Sequence, residues 1–350
     1  MQSINLNNKA AILNKIKKPL NIKKIFVPRL NENLVLVKMK YSYVCGSQIN
    51  EWQGKKGKDN YLPHTLGHEG CGEIVAVGKK VKKFKKGNKV LVSWIKNQTK
   101  CSFQKFNYFD NKKNLINTGP VSTFLKYSIV PIDRIYKLNN HLYNKTSALF
   151  GCAMPTGVGM VMKILKKIKK KDHIVIFGVG GIGTIALATL LYFKFKNVIV
   201  VDKDRNKLKL CKKMGALESL KLEDFLEKIN KKKILKENIG ATIECSGNVK
   251  LIENAFKNLK KDGVCVVGGN VKFGTKLKID PYEIIFGKQI LGTIGGDLQI
   301  NKNLQLFNKI VQSNPVMKKS FLKYQYNLNN INKAFNDLKK GKVLRPLIKL

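Results

Sequence analysis

The sequence predicts an α/β protein built in two parts. Residues 1 to about 150 form short apolar segments between glycine turns, a pattern typical of an all-β, barrel-like domain. After Cys152 the period of the apolar residues changes, and apolar strands alternate with helical segments. This alternation indicates a doubly wound parallel sheet covered by helices.

Each part can be followed along the chain. The strands of the first part are "NLVLVKMKYSYV", "GEIVAVG", "NKVLVSWI" and "STFLKYSIV". The second part runs from "HIVIFGVGGIGTIALATLLYF" through "NVIVV", "ATIECSG" and "VCVVGGN" to "QILGTIGG". Two helical segments and a last strand, "LRPLIKL", follow Leu298. A chain of 350 residues is long enough for two domains, each with its own core.

Composition narrows the class of protein. The N-terminal residues lack the pattern of a signal peptide, and no stretch approaches the ~18 apolar residues of a membrane helix. Seven widely spaced cysteines, an odd number in a long chain, do not resemble a disulfide framework. We therefore expect a soluble cytoplasmic protein whose cysteines are thiols or metal ligands.

The formal charge of +45 is extreme and would suit a polyanionic partner. However, only Arg29, Arg134, Arg205 and Arg345 are arginines, and the lysines are spread through every segment. A nucleic-acid site more often concentrates arginine among stacking aromatic residues. The pattern favours a solvated lysine coat and predicts no specific nucleic-acid or membrane partner. Such a coat attracts anionic ligands and makes association rates depend on salt.

A glycine motif opens the second part. "VIFGVGGIG" places Gly178, Gly180 and Gly183, with Gly181 between them, directly after an apolar strand and at the start of an apolar helix. The three glycines allow a tight turn, close approach of a pyrophosphate, and packing of helix on strand. Asp202 ends the next apolar strand, where a carboxylate can accept hydrogen bonds from an adenosine ribose. Strand, helix and acid together predict a dinucleotide site rather than a glycine turn without a ligand.

Asp202 also bears on the choice of dinucleotide. A carboxylate at this position repels the 2′-phosphate of NADP, so the sequence favours NAD. Arg205 lies close by in sequence, and an arginine near this turn is what NADP sites use.

Soft metal ligands are scattered along the chain. A catalytic zinc takes three protein ligands, with thiolate and imidazole favoured, and keeps a fourth position for substrate. Cys45, His68 and Cys152 would make that set, but spacing alone cannot join residues so far apart. A lone cysteine is most often a small buried apolar residue, which is our interpretation of Cys71, Cys211, Cys245 and Cys265. His64, four residues before His68, has no assigned role.

Four ordered motifs, "VCGSQ", "GHEGCGEIVAVG", "GCAMPTGVG" and "VIFGVGGIG", resemble the zinc-dependent medium-chain dehydrogenases, the alcohol dehydrogenase family. The likeness runs from about residue 10 to the end. It implies a GroES-like catalytic domain over residues 1–152 and 297–350 and a Rossmann NAD-binding domain over residues 153–296. Polyol dehydrogenases of the family carry Glu as third ligand, so Cys152 resembles the alcohol and S-(hydroxymethyl)glutathione dehydrogenase branch.

The resemblance implies roles for individual residues. Cys45, His68 and Cys152 would bind the catalytic zinc, with Glu69 beside it as an occasional ligand. Ser47 would take the hydroxyl proton and pass it to the cofactor ribose, unless it only caps a turn. The implied cofactor contacts are Thr156 and Ile182 on the nicotinamide ring, the backbone near Val267 and Thr293 at its carboxamide, Lys207 at the adenosine ribose, and Arg345 at the pyrophosphate. Trp94 either lines the substrate pocket or belongs to the core.

Three departures from the family pattern stand out. The segment after "VLVSWI" has only Cys101 where a structural zinc needs four cysteines, so we expect one zinc and not two. Gln48 replaces the usual Asp that accepts the free N–H of the ligand histidine; its carbonyl can still accept that bond, without a charge to raise imidazole basicity. Asn50 replaces a histidine that ends the proton relay, and asparagine cannot titrate.

These observations predict a zinc-dependent oxidoreductase that moves a hydride between an alcohol and NAD. The charge prompts the hypothesis of an anionic substrate, such as a glutathione adduct or a sugar derivative. The alternatives are a zinc-free quinone or enone reductase and a non-enzymatic polyanion-binding protein of the same fold. The family likeness also implies a homo-oligomer, either dimer or tetramer.

Overall fold

The computed structural model describes residues 3–99, 101, 106–231 and 237–350. Contacts divide the chain into two compact units. The first unit comprises Met1–Cys152, Gln299–Leu304 and Ser320–Leu350, and the second comprises Ala153–Leu298 and Gln305–Lys319. None of the helices in the described part of the chain is both long and apolar enough to cross a membrane.

The strands and helices are numbered in chain order. The strands are β1 (Ser3–Leu13), β2 (Asn21–Pro28), β3 (Leu34–Tyr43), β4 (His64–Thr65), β5 (Glu69–Val77), β6 (Lys89–Ser93), β7 (Tyr108–Asp110), β8 (Leu115–Ile116), β9 (Tyr127–Pro131), β10 (Ile135–Lys137), β11 (His173–Phe177), β12 (Val198–Val201), β13 (Glu218–Leu220), β14 (Ile239–Glu244), β15 (Val264–Val267), β16 (Gln289–Gly292), β17 (Gln325–Asn327) and β18 (Leu347–Lys349). The α-helices are α1 (Gly46–Trp52), α2 (Ala153–Leu165), α3 (Gly181–Tyr192), α4 (Arg205–Met214), α5 (Leu222–Lys231), α6 (Val249–Lys257), α7 (Pro281–Ile285), α8 (Ile300–Ser313), α9 (Pro315–Leu322) and α10 (Ile331–Lys339).

The first unit is built from two sheets, in the strand orders β4-β1-β2-β7-β8 and β10-β6-β5-β3-β18-β17, with β9 also on β3. Most of its strand pairs are antiparallel, and β17 with β18 is parallel. β3 pairs with β5, β9 and β18, and seven of its ten residues are buried. Apolar side chains from α1 and α10, among them Trp52 and Phe335, form part of its core. The expectation of a barrel-like β domain is confirmed, but this part is not all-β, because helix α1 lies among its strands.

The second unit holds a six-stranded parallel sheet in the order β13-β12-β11-β14-β15-β16. The chain runs outward from β11 through β12 to β13, then returns to the other side of β11 for β14, β15 and β16. β11 and β14 therefore form the topological switch point, beside which doubly wound sheets bind their ligands. Both strands are almost fully buried, as a sheet covered on both faces requires. The doubly wound prediction is confirmed.

Candidate active site

Three predicted metal ligands meet in the first unit. One ligand atom each from Cys45, His68 and Cys152 lies within 4.8 Å of the others. Within residues 3–99, 101, 106–231 and 237–350 it is the one such group of three or more His, Cys, Asp or Glu side chains. Both cysteines are buried, at 4% and 6% exposure.

Local structure fixes Cys45 and His68 at the ends of neighbouring strands. Cys45 follows β3 and precedes α1, and its N–H donates to Gln48 Oε1 at 2.8 Å. His68 directly precedes β5, and its carbonyl accepts from Trp94 N at 3.0 Å. The residue before it, Gly67, has φ +101°, and a Cβ there would lie 2.3 Å from Thr123 Oγ1. Glycine at 67 is therefore required for the turn that brings the imidazole to this place.

Cys152 is positioned by the short 3₁₀ helix Thr146–Gly151, which is wholly buried. Ser93 Oγ at the end of β6 donates to Gly151 O at 2.6 Å. This bond ties the residue before Cys152 to the strand that pairs with β5. The third ligand, 84 positions beyond His68 in the sequence, is thereby fixed to the same sheet.

Glu69 and Arg345 form a buried ion pair beside the three ligands. Arg345 Nε donates to Glu69 Oε1 at 2.6 Å, and Nη2 lies at the same distance from that oxygen. The side chain of Arg345 is 3% exposed and that of Glu69 is 0% exposed. The structure thus places Glu69, predicted as an occasional metal ligand, outside the group of three and against a guanidinium. It places Arg345, predicted at a pyrophosphate, in the first unit and against Glu69.

The two thiols and the guanidinium influence one another. The hydrogen bond from Cys152 lowers the pKa of the Cys45 thiol well below its usual value, against the effect of burial, and the charge of Arg345 lowers it further. The same hydrogen bond, together with burial, raises the pKa of Cys152 well above its usual value. Burial opposes the charge on Arg345, but Cys45 and Glu69 raise its pKa overall. The structure therefore favours a thiolate at Cys45 and a thiol at Cys152, next to the charged guanidinium of Arg345.

Gln48 does not take the role expected of it. Its Oε1 accepts from Cys45 N, and its Nε2 is buried without a hydrogen-bond partner among the residues that the structure describes. The carbonyl oxygen keeps a second lone pair, but among the described residues it has no bond to His68. The correction has a local cause, because the start of α1 offers a backbone donor three residues away. Ser47 and Asn50, also on α1, are both half-buried.

A cavity of about 680 Å³ opens beside His68 within the first unit. Gln48 and His68 lie on its wall, with Leu66, Gly67 and Val121. The wall also carries several charged and hydrogen-bonding side chains: Glu51, Lys56, Lys58, Asp59, Tyr61, His64, Thr65 and Thr118. Trp94 is not part of the wall; it is half-buried, with its ring edge-on to His68 at 6.5 Å between centroids.

The glycine motif of the second unit lies at the switch point after β11. Gly178 has φ +85°, and a Cβ on it would meet Ser246 at 2.7 Å. A Cβ on Gly183 would lie 2.1 Å from Gly178 O, so this glycine lets α3 pack on the turn. A Cβ on Gly180, by contrast, would meet nothing within 4 Å. No neighbour within the described chain therefore requires glycine at position 180. A ligand that approaches the backbone closely at this point would require it.

Asp202 follows β12 and faces the same turn. Its Oδ2 accepts from Val179 N at 2.8 Å, and its Oδ1 accepts from Asp204 N at 3.0 Å. Each oxygen keeps a lone pair for another donor. Among the other predicted cofactor residues, Gly181 and Ile182 start α3, Thr156 is buried in α2 and Lys207 lies in the first turn of α4. Val267 and Thr293 lie at the ends of neighbouring strands, β15 and β16, and Thr293 Oγ1 contacts Asp297 at 2.9 Å.

The residues present suit both implied groups. Two thiols and an imidazole are the donors that zinc prefers, and three protein ligands are typical of its catalytic sites. His68 Nε2 is buried without a hydrogen-bond partner in the described residues, a state that a metal ligand explains. The open space at Gly180, at the start of a 12-residue helix, suits a pyrophosphate.

Comparison with known proteins gives the same assignment. Residues 31–140 match the alcohol dehydrogenase GroES-like domain, and residues 181–309 match the zinc-binding dehydrogenase domain. The S-(hydroxymethyl)glutathione dehydrogenase of Synechocystis sp. is 26% identical over 371 residues, which cover 98% of this chain and 100% of that protein. The chain belongs to the zinc-dependent alcohol dehydrogenase family and is an alcohol oxidoreductase that uses zinc and a nicotinamide cofactor.

Solved structures share the fold. The crystal structure of benzyl alcohol dehydrogenase from Acinetobacter calcoaceticus matches with a TM-score of 0.84 and 24% identity, covering 99% of this chain and 100% of that one. A zinc-binding dehydrogenase from Sinorhizobium meliloti bound to NADP matches with a TM-score of 0.79 and 19% identity, covering 100% of both chains.

Two features of the site could not be found in the sequence. The Glu69–Arg345 pair joins residues 276 positions apart, and no local pattern links them. His64 pairs with Asp59, five residues away, but the intervening loop gives no periodic signal that they meet. Only the presence of His64 beside the "GHE" motif marked it as a residue to follow.

Proposed function

We propose that this protein is an NAD-linked alcohol dehydrogenase with one catalytic zinc held by Cys45, His68 and Cys152. The observation that supports it most is the meeting of these three donors, which are far apart in sequence, within 4.8 Å. Zinc, when bound, lowers the pKa of an alcohol hydroxyl and so favours loss of its proton. NAD supplies the acceptor for the hydride.

The chain's own residues then have separate tasks. Ser47, two residues after the Cys45 ligand, is the proposed first acceptor of the hydroxyl proton. Arg345 neutralises Glu69, so that this carboxylate adds no uncompensated negative charge beside two buried thiolates. The cavity beside His68 is the proposed substrate pocket. We propose that residues 1–152 and 297–350 form the catalytic domain and residues 153–296 the cofactor domain.

A single zinc per chain is part of the proposal. The region that would hold a structural zinc has Cys101 as its only cysteine, and residues 100 and 102–105 lie outside the described structure. A site with two thiolate ligands needs reducing conditions, which suits the cytoplasm.

The substrate proposal follows the relatives. The S-(hydroxymethyl)glutathione dehydrogenases of Synechocystis sp. and Photobacterium damsela are among the relatives of this chain, and the net charge of +45 favours anionic substrates in general. We propose an anionic alcohol such as a glutathione adduct or a sugar derivative. A panel of such compounds and neutral short alcohols, each assayed with NAD and NADP, tests both the activity and the preference. Higher kcat/KM for neutral short alcohols than for every anionic compound would contradict this choice.

The choice of NAD over NADP can be tested at Asp202. Asp202→Asn keeps an oxygen for Val179 N but removes the charge, so it should lower kcat/KM for NAD by about tenfold, the value of one charge-assisted hydrogen bond. The ratio of NAD to NADP specificity should fall by at least the same factor. Steady-state kinetics with both cofactors measure it, and an unchanged ratio would contradict the assignment. Lys203→Gln, on the adjacent residue, serves as the control.

We propose a homo-oligomer that associates through the β16 edge of the second unit. β16 ends the described sheet, and exposed apolar side chains are concentrated around it: Val271, Phe273, Leu277, Tyr282, Ile284, Ile285, Phe286 and Ile294. Three aromatic residues among them leave on the order of 400 Å² exposed, a large patch for a monomer. Residues 271–297 hold three acids and four lysines, in a chain with three times as many basic as acidic residues. Repulsion between two copies is therefore lower at this surface than the average composition of the chain would give.

Association through this surface predicts a concrete result. The native protein should have a mass of at least twice 39.6 kDa by light scattering. Ile285→Lys combined with Phe286→Lys should shift it to the single-chain mass, because each introduces a cation into the apolar interface. Leu115→Lys, at another exposed apolar residue, is the control and should leave the mass unchanged. A native monomer, or a double variant that stays associated, would contradict the proposed interface.

A further inference from the structure

His64 is a buried titratable group that the proposed reaction does not yet use. It begins β4, is 6% exposed, and lies on the wall of the same cavity as Gln48 and His68. Three residues and a change of direction at Gly67 separate it from His68. The imidazole is thus exposed to the cavity without belonging to the group of three metal ligands.

Both ring nitrogens of His64 face oxygen acceptors. Nδ1 lies 3.1 Å from the carbonyl oxygen of Thr65, and Nε2 lies 2.8 Å from Asp59 Oδ2. A neutral imidazole has one N–H, so it can donate to only one of these two oxygens, and neither oxygen can donate in return. With that N–H on Nδ1, Nε2 and the Asp59 carboxylate are two acceptors in contact. One additional proton, on either the ring or the carboxyl group, turns that contact into a hydrogen bond.

His64 and Asp59, which we call the dyad, have both acidic and basic side chains around them. Glu51 Oε1, from α1, lies 4.0 Å from His64 Nε2, while Glu51 Oε2 receives a bond from Lys56 Nζ at 2.8 Å. Lys58 and Tyr61 also line the cavity, from the same loop as Asp59. The facing β1 residue is the apolar Leu13, and the adjoining chain contributes Asn117 and Thr118, which do not titrate. Two acidic side chains, Glu51 and Asp59, and two basic ones, Lys56 and Lys58, thus lie around the same part of the cavity as His64.

We propose that the His64–Asp59 dyad accepts the proton released by alcohol oxidation. This inference rests on the proposed function. In the reaction, the carbinol carbon gives a hydride to NAD, the C–O bond becomes C=O, and the hydroxyl proton must leave. Asn50 cannot take that proton, whereas the unprotonated dyad gains a hydrogen bond by taking it up. The Asp59 side chain is 13% exposed, so the proton can pass from there to solvent.

The variant Asp59→Asn separates this role from a structural one. Its side-chain N–H can donate to His64 Nε2, so the neutral ring is satisfied and the loop contact is kept. Its remaining oxygen can still accept from Tyr61 N, as Asp59 Oδ1 does at 3.0 Å. The dyad, however, no longer gains from an added proton. His64→Gln removes the imidazole itself, and His141→Gln, at an exposed histidine, is the matched control.

The kinetic test is the pH dependence of alcohol oxidation. In the native enzyme kcat/KM should rise with pH as the dyad empties, because only the unprotonated form accepts. Asp59→Asn and His64→Gln should lose this rise with pH. Their kcat/KM should be lower by about tenfold, which is less than the roughly 10²- to 10⁴-fold contribution usual for proton-transfer groups. High concentrations of imidazole buffer should restore part of the lost activity, and His141→Gln should match the native profile. Native-like profiles in both dyad variants would overturn the proposal.

A second measurement is independent of turnover. The chain has four histidines, so imidazole ¹⁵N signals can be assigned by the loss of one set in His64→Gln. When the pH is varied, the ¹⁵N shifts of His64 should change between those of a doubly protonated and a neutral ring in the native protein, and should keep the neutral values in Asp59→Asn. A native His64 whose shifts do not respond to pH would also overturn the proposal. If no alcohol is oxidised at all, the proposed function fails, while the spectra still decide whether the dyad takes up a proton.

Discussion

Cys45→Ser should reduce bound zinc from about one atom per chain to nearly none and lower kcat/KM by more than about 10³-fold. A serine hydroxyl is a poor zinc ligand, and two remaining donors do not make a catalytic site. The activity loss corresponds to about 4 kcal/mol, the size of effect attributed to a metal that stabilises developing charge. Elemental analysis of the purified variants and steady-state kinetics check the two parts.

Cys101→Ser is the control for this experiment. It removes a thiol from the region where a structural zinc would lie, so zinc content should remain at about one per chain. Circular dichroism of both variants should match that of the native protein. Full zinc content in Cys45→Ser would exclude that cysteine as a ligand, and a second zinc lost from Cys101→Ser would show that the single-zinc proposal is wrong.

Glu69→Ala should lower the free energy of unfolding by about 3–5 kcal/mol. It leaves the guanidinium of Arg345, at 4% exposure, without its carboxylate, and an unpaired buried charge costs about this much. Urea denaturation with and without added zinc measures it, and the two series separate loss of fold from loss of metal.

Two further variants make this prediction specific. Combining Glu69→Ala with Arg345→Met removes both charges and should recover much of the lost stability, since an apolar replacement of a buried pair is often neutral. Glu32→Ala breaks the exposed pair with Lys80, at 2.7 Å, and should change stability by about 0.5 kcal/mol or less. A loss from Glu69→Ala no larger than that from Glu32→Ala would contradict the buried-pair argument.

Much of the fold could be predicted because it depends on local periodicity. The change from two-residue to helical spacing after Cys152 marks the start of α2 at Ala153 and of the parallel sheet that follows. The three proposed metal ligands follow from the family resemblance, since residues 45, 68 and 152 carry no spacing rule. Their meeting depends on the sheet, in which β3, β5 and β6 are adjacent. Cys45 follows β3, His68 precedes β5, and the residue before Cys152 is bonded to the end of β6.

The rest depends on contacts that sequence chemistry alone cannot rank. Gln48 had two possible donors for its oxygen, an imidazole and a backbone N–H, and the geometry at the start of α1 favours the backbone of Cys45. The family likeness implies a pyrophosphate as the partner of Arg345, and the structure shows its guanidinium on the carboxylate of Glu69. In both cases residue type predicts the kind of bond, and only tertiary placement selects the partner.

The position of β18 has a consequence for the order of events during synthesis. Leu347–Lys349 pairs with Tyr41–Tyr43 of β3, immediately before Cys45, and Val44 N donates to Pro346 O at 3.0 Å. The strand β18, which pairs next to the proposed ligand Cys45, is therefore translated some 300 residues after it. During synthesis, the edge of β3 that pairs with β18 therefore stays unpaired until the C-terminal residues are made. We expect a chain that ends before β18 to retain zinc poorly, although it contains all three proposed ligands.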